Sequence, residues 1–247
     1  MTAVSTEHIV ALSGGKDSTA MALRLAEVEP RDYVYVCTPT GDELPSMIAH
    51  WEHLEELLGK PIVRVTNKSL DEWIEFFGAL PNWRQRWCTR LLKIEPYLTW
   101  LKQHPDSISY VGLRADEEER RGILSNDIEC RFPLREWGWG LSEVWAYLRK
   151  RGVSIPARTD CARCYGQRLS EWHDLWREHP DKFQDAARQE REVGATFRSP
   201  GRDTWPASLT ELDAEFSNGR LPRGARQPGQ GSLFDDDDIQ PCRVCSL

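Results

Sequence analysis

The chain predicts a doubly wound α/β fold: a mostly parallel, five-stranded sheet followed by a helical, cysteine-containing extension. Three observations predict it. Up to about residue 155, short apolar runs alternate with segments of helical periodicity, the pattern of a parallel sheet covered on both faces. The first apolar run stops at Ser13-Gly14-Gly15, and a helical pattern follows at once. Beyond residue 155 the strand signals cease, and a Cys161-x-x-Cys164 pair leads into tryptophan-rich helical segments.

In order, HIVAL (8–12) reads as the first strand. A helix follows from Ser18 to Val28, with Met21, Leu25 and Val28 at helical spacing. YVYVCTP (Tyr33–Pro39) is a second strand, and the segment from Pro45 to Gly59 a helix with proline at its start and glycine at its end. PIVRVT is a third strand; SLDEWIEFFGAL is a helix with Ser69 as N-cap. SISYVGL (Ser107–Leu113) and IECRFPL are the fourth and fifth strands, and LSEVWAYLRKRG is the helix after them. Ligands on such sheets sit at the carboxyl ends of the strands, where Ser13–Ser18, Thr38–Glu43 and Arg114–Arg121 fall. Three parts are expected: an α/β domain over 1–155, a helical subdomain over 156–219, and a flexible acidic tail over 220–247 ending in Cys242-x-x-Cys245.

Hydrophobic residues at 40% of 247 supply one sizeable core and an appendage. No apolar run approaches the roughly 20 residues of a membrane span, and no export signal is visible, so a cytoplasmic protein is expected. The seven cysteines then read as thiols or metal ligands rather than a disulfide framework. The net charge of -7, much of it from Asp235–Asp238, argues against a broad nucleic-acid-coating surface but leaves room for a local basic site.

The turn at the first strand is an anion site on physical grounds. Unpaired N–H groups and the positive end of the helix dipole face a ligand there. Gly14 and Gly15 allow close backbone approach, Lys16 adds charge, and the Ser13 and Ser18 hydroxyls donate. The spacing is not that of the Walker loop, since position 10 is Val and Asp17 follows the lysine.

SGGKDS resembles the PP-loop of ATP pyrophosphatases, which cleave ATP between its α- and β-phosphates. TPTGDELP resembles the adenosine-side loop of that superfamily. WCTRLLKIEP, VGLRADEEERRG, FPLREWGWGLSEVWAYL and TDCARC line up in order with segments of the phosphoadenosine-phosphosulfate (PAPS) reductase family, over roughly residues 8–170. The resemblance implies an adenine nucleotide alpha hydrolase-like fold. It implies nucleotide contacts from Ser13, Gly14, Gly15, Lys16, Asp17, Ser18, Thr40, Gly41, Gly112 and Arg114, with Lys16, Asp17 and Arg114 catalytic. One departure matters: sulfonucleotide reductases lack this lysine and aspartate, whereas DNA phosphorothioation proteins and tRNA-thiolating enzymes combine the ATP form of the loop with cysteines.

The implied reaction adenylates an acceptor oxygen with release of pyrophosphate, after which sulfur or nitrogen displaces AMP. Magnesium (Mg2+) bridges the phosphates in this scheme, and Asp17 either holds it or caps the helix. Arg114 either clamps the α-phosphate or is a surface arginine paired to the following acids. Arg120 and Arg121 read as a solvated ion-pair face. Two rival readings are a thiol-dependent PAPS or APS reductase served by thioredoxin, and a non-catalytic nucleotide-binding protein. The first reading calls for a sulfur donor protein and a nucleic acid acceptor.

Cys88, Cys161 and Cys164 match three ligands of the four-iron (4Fe-4S) cluster in the resembled iron–sulfur reductases, with Thr89 in place of their second cysteine. The fourth ligand would come from the tail cysteines Cys242 and Cys245, the obvious supply, or from a substrate sulfur at an open iron. Alternatively, Cys161, Cys164, Cys242 and Cys245 form a zinc (Zn2+) site, or the tail pair is a mobile redox couple. Cys37 and Cys130 read as small buried hydrophobes. PNWRQRWCTRLLK interleaves Arg84, Arg86, Arg90 and Lys93 with Trp83 and Trp87. That pattern suits either single-stranded nucleic acid or buried tryptophans among solvated arginines. The tryptophans of EWGWG and SEWHDLWREH are expected to pack the second layer, and the six histidines suggest no site. Gln230–Phe234, QGSLF, resembles the short peptide that docks on the bacterial replication clamp.

Overall fold

The structure is a computed structural model that describes residues 6–120 and 128–225. Its sheet has five parallel strands in the order β3-β2-β1-β4-β5. These are β1 (Glu7–Ala11), β2 (Tyr33–Cys37), β3 (Ile62–Arg64), β4 (Ser107–Tyr110) and β5 (Glu129–Arg131). The first strand is central, and its Ile9 and Val10 are fully buried on opposite faces. On one face Val10 and Leu12 pack with α1 (Lys16–Val28), α2 (Pro45–Leu58) and α6 (Leu141–Arg151); on the other, Ile9 and Ala11 meet Tyr97 and Leu101 of α4 (Glu95–Leu101). The expected α/β architecture is therefore present, and the C-terminal helices follow it: α7 (Leu169–Glu178), α8 (Pro180–Val193) and α9 (Leu209–Ser217).

Local chemistry explains most boundaries. The second helix begins at Pro45 and ends at Gly59 in the left-handed region. In α3 (Leu70–Phe77), Ser69 forms a full capping box with Glu72. The fourth strand stops at Tyr110, short of the expected Leu113, because Gly112 turns in against α1, where a Cβ would lie 3.1 Å from the Ser18 nitrogen. A one-turn helix, α5 (Pro133–Glu136), intervenes before α6. Thr89–Ile94 is π-helical, a form the periodicity did not announce and one frequent at functional sites.

The extension shares a core with the α/β part. Trp172, Phe183, Leu209 and Phe216 pack in one cluster with Leu44, Leu70, Ile74 and Leu92. Of the tryptophans expected in the second layer, Trp172 is fully buried in the extension, but Trp137 and Trp139 instead pack against the sheet-face core. Among the described residues, no helix is long and apolar enough to cross a membrane. Most of the proposed flexible tail, with Asp235–Asp238, Gln230–Phe234, Cys242 and Cys245, lies outside the described residues, as does Arg121.

Candidate functional site

The first strand runs into the Ser13–Gly15 turn, and α1 starts at Lys16 with Gly15 as its N-cap. Gly14 has a φ of 84°, and a Cβ there would lie 2.2 Å from Met47 Cε. Only glycine fits a turn pressed this closely on α2. The Gly14 N–H donates to Ser18 Oγ at 3.2 Å, and the Ser13 and Ser18 hydroxyls are 3.0 Å apart.

Above this turn lies a cavity of about 140 Å³ lined by Ser13, Gly15, Lys16, Asp17, Ser18 and Gly112. Lys16 is almost fully buried, and its Nζ sits 3.3 Å from Asp17 Oδ2. Arg114 Nη1 reaches the same oxygen at 3.0 Å. Burial lowers the pKa of the Lys16 ammonium; Asp17 opposes the shift and Arg114 adds to it. The other oxygen, Asp17 Oδ1, is buried without a hydrogen-bond partner. Asp17 makes no cap to α1, so the capping alternative is not taken. Arg114 is buried rather than superficial, yet it does pair with the acids that follow it: its Nε donates to Asp116 at 2.8 Å and its N–H to Glu117 at 3.2 Å. Arg120 also pairs with Glu117, and it lines the cavity.

The loop after β2 is closed by Glu43, which accepts from the Thr40 N–H and hydroxyl and the Gly41 N–H at 2.6, 2.7 and 3.1 Å. Thr38 and Glu43 line the glycine-turn cavity, whereas Thr40 lines a second one. That second cavity, about 20 Å³, brings together Cys88, Cys161 and Cys164 beside Lys93, Arg163 and Tyr165. Cys161 and Lys93 line both cavities. Burial pushes the Cys88 thiol up to about 11; the Cys164 contact and burial raise Cys161 as well. Among the described residues, no three His, Cys, Asp or Glu side chains are grouped tightly enough to hold a metal ion as they stand. Cys37 is buried in the core and borders the glycine-turn cavity, and Cys130 is half-buried in β5.

Sequence reasoning missed what holds these parts in place. Asp42, only 2% exposed, accepts from the Arg163 N–H at 2.8 Å and pairs with its guanidinium at 3.0 Å. Arg163 also reaches Asp71 at 2.6 Å and Gln189 at 2.8 Å. Arg158 donates to the Cys161 carbonyl at 2.8 Å. Under the phosphate turn, Trp51 Nε1 donates to the Ser13 carbonyl at 3.0 Å. Burial pushes the imidazole of its neighbour His50 down to about 4, and the Nε2 atom of that ring is buried without a hydrogen-bond partner. The one available signal was the His50-Trp51 pair on an otherwise amphipathic helix. Of the interleaved tryptophans, Trp87 is half-buried, as the packing alternative required, but Trp83 is 44% exposed.

Comparison with known proteins agrees with the motifs. The chain is 24% identical over 199 residues to an uncharacterized protein of Methanocaldococcus jannaschii, covering 73% of this chain and 41% of that one. A second uncharacterized protein of the same organism is 28% identical over 145 residues, covering 55% of this chain and 34% of its own length. The chain thus spans well under half of these relatives. Among solved structures it is similar to phosphoadenylyl-sulfate reductase from Candida auris in a phosphate complex (TM-score 0.49, 16% identity, 62% of this chain and 76% of that one). It is also similar to the U34-tRNA thiolase NcsA from Methanococcus maripaludis with its 4Fe-4S cluster (TM-score 0.41, 14% identity, 90% and 84%). Residues 7–157 match the phosphoadenosine phosphosulfate reductase domain, and on that match the chain belongs to this family.

Proposed function

We propose that the chain binds ATP and adenylates an acceptor oxygen, releasing pyrophosphate, as the first half of a sulfur transfer. The observation that carries this reading is the buried Lys16–Asp17–Arg114 cluster at the N-terminus of α1. Lys16, Lys93 and Arg120 line one cavity at this helix N-terminus, a cationic setting that suits a triphosphate, and Arg114 holds Asp17 from behind it. The acceptor oxygen bonds to the α-phosphorus as the bond to the β-phosphate oxygen breaks, and catalysis is positioning and charge neutralisation. A magnesium ion would be held by Asp17, whose Oδ1 has no partner, and would supply further neutralisation of the phosphates.

Three thiols suit a thiophilic iron or zinc site by donor chemistry. As placed they do not enclose a four-iron cluster, because their cavity of about 20 Å³ has room for little more than a water molecule. No step is therefore routed through a metal. In the second half, a persulfide on Cys161, loaded by a sulfur donor protein, displaces AMP. The terminal sulfur bonds to the acceptor carbon as the carbon–oxygen bond breaks. Cys164 then attacks the remaining disulfide, leaving a thiolated acceptor and a Cys161–Cys164 disulfide for a thioredoxin-like reductant. The support is that Cys161 borders both cavities and contacts Cys164.

The test is pyrophosphate and AMP formation from ATP by wild type and Lys16→Ala. Unchanged turnover in the variant would sink the reading. Sulfite formation from a sulfonucleotide with reduced thioredoxin, and no pyrophosphate from ATP, would replace it with a reductase. Metal analysis of protein purified without oxygen, against Cys161→Ser/Cys164→Ser, tests the thiols: stoichiometric metal lost in the variant would turn the persulfide step into metal ligation.

A further inference from the structure

Among the described residues, the large aromatic side chains more than a third exposed all fall between residues 76 and 83: Phe76 at 66%, Phe77 at 42% and Trp83 at 44%. The other exposed large apolar residues are isolated aliphatics such as Val28 and Leu221. Phe76 and Phe77 belong to one aromatic run, and Trp83 to a separate pair. Trp73 stacks on Phe77 at 5.5 Å with a 16° interplanar angle, Phe76 meets both edge-on, and Phe77 lies 5.3 Å from Trp87. Trp83 meets Tyr165 edge-on at 5.3 Å. The run and the pair both lead toward the cysteine cavity, since Trp87 precedes Cys88 and Tyr165 lines that cavity. At the other end of α3, Leu70 donates to the Thr40 carbonyl at 2.8 Å. An eight-residue helix spans about 12 Å, so the platform lies within a few nucleotides of the site.

Charge selects the occupant. From Phe76 to Ile94 the chain carries Arg84, Arg86, Arg90 and Lys93 and no carboxylate, within a protein of net charge -7. Lys68 Nζ sits 5.0 Å over the Trp73 ring and 5.1 Å from that of Phe76, at the rim of the aromatic run. Exposed aromatic faces bordered by cations bind unpaired bases and their phosphates; a duplex hides its base faces.

We infer that this surface is a docking platform for single-stranded nucleic acid, which it delivers toward the cavity containing Cys161. The inference names the acceptor class for the adenylation reading and in that respect rests on it.

The experiment is fluorescence anisotropy of a labelled oligo(dT) strand, its RNA counterpart and a duplex of equal length, with the full chain. Wild type is expected to bind the single strands in preference to the duplex. Phe76→Ala/Trp83→Ala should weaken single-strand binding about tenfold or more. Arg84→Gln should reduce the slope of log affinity against log salt by about 0.7. ATP affinity measured on the same double variant reports whether it has folded. Equal affinity for the duplex, equal binding by a double variant that still binds ATP, or a concentration-dependent dimer that the double variant abolishes would each overturn the platform. A wild type that binds the strand yet forms no pyrophosphate would retain the platform and discard the adenylation reading; pyrophosphate formation without strand binding would do the reverse.

Discussion

The glycine-turn cavity and the cysteine cavity share Lys93 and Cys161 but are built in opposite ways. The first is largely local: one strand end, one turn and one helix N-terminus place Ser13, Lys16 and Asp17 within a few residues, and a helix packs underneath. The second is assembled from the loop after β2, the π-helical stretch and the turn carrying Cys161 and Cys164, held by a buried pair 121 residues apart in sequence. The first has a volume of about 140 Å³; the second has about 20 Å³, and burial pushes its Cys88 thiol up to about 11. A site made by one local motif tolerates distant change, whereas one made by convergence depends on the contacts that force the convergence.

That contrast is most easily broken at Arg163. Its side chain and that of Asp42 are 6% and 2% exposed. Arg163→Ala leaves Asp42 buried with the residue-163 backbone N–H and, as counter-charge, the more distant Lys182 at 3.5 Å. The expected cost is about 3–5 kcal/mol, read as a shift in the denaturant midpoint. If the two cavities are welded through this pair, ATP affinity falls as well; unchanged ATP affinity would make the phosphate side independent.

Lys16→Ala acts on the local site alone. On the adenylation proposal, loss of this buried cation should cost pyrophosphate formation about 10²–10³-fold, or ~3–4 kcal/mol, with the folding midpoint little changed. The reactivity of Cys161 and Cys164 toward a thiol reagent should be unaltered in the same protein, which separates the two cavities experimentally.

Acid tests the floor of the phosphate turn. The His50 imidazole is held neutral by burial, down to about 4 from 6.5. Above pH 6.5 both folded and unfolded states carry the neutral ring, and its stabilisation is complete. As pH falls from 6.5 toward 4, the unfolded state takes up the proton first and stability is lost, by up to ~3 kcal/mol. Thermal midpoints of His50→Gln should decline less over this window than those of wild type; parallel curves would remove His50 from the account.

The smallest expected effect lies on α3, which joins the two regions. Ser69→Ala removes the cap to the Glu72 N–H and should cost about 1 kcal/mol. Hydrogen exchange in Leu70–Phe77 should rise while α1 is unaffected.

Sequence alone determined the features whose physics is short-range. The five strands, the glycine turn, the proline and glycine ends of α2 and the Ser69 cap were legible because each depends on residues within one or two turns of chain. The phosphate turn was legible for the same reason: Gly14, Lys16 and Asp17 act together because they are adjacent. Tertiary structure alone decided the strand order, and it placed Thr40 in the cavity of the thiols rather than in that of the glycine turn. It also brought Cys88 to Cys161 and Cys164, and seated His50 and Trp51 beneath Gly14. Nothing in the spacing of Asp42 and Arg163 announces their pairing. It exists because packing buries both charges in one place, and a buried charge must find its opposite.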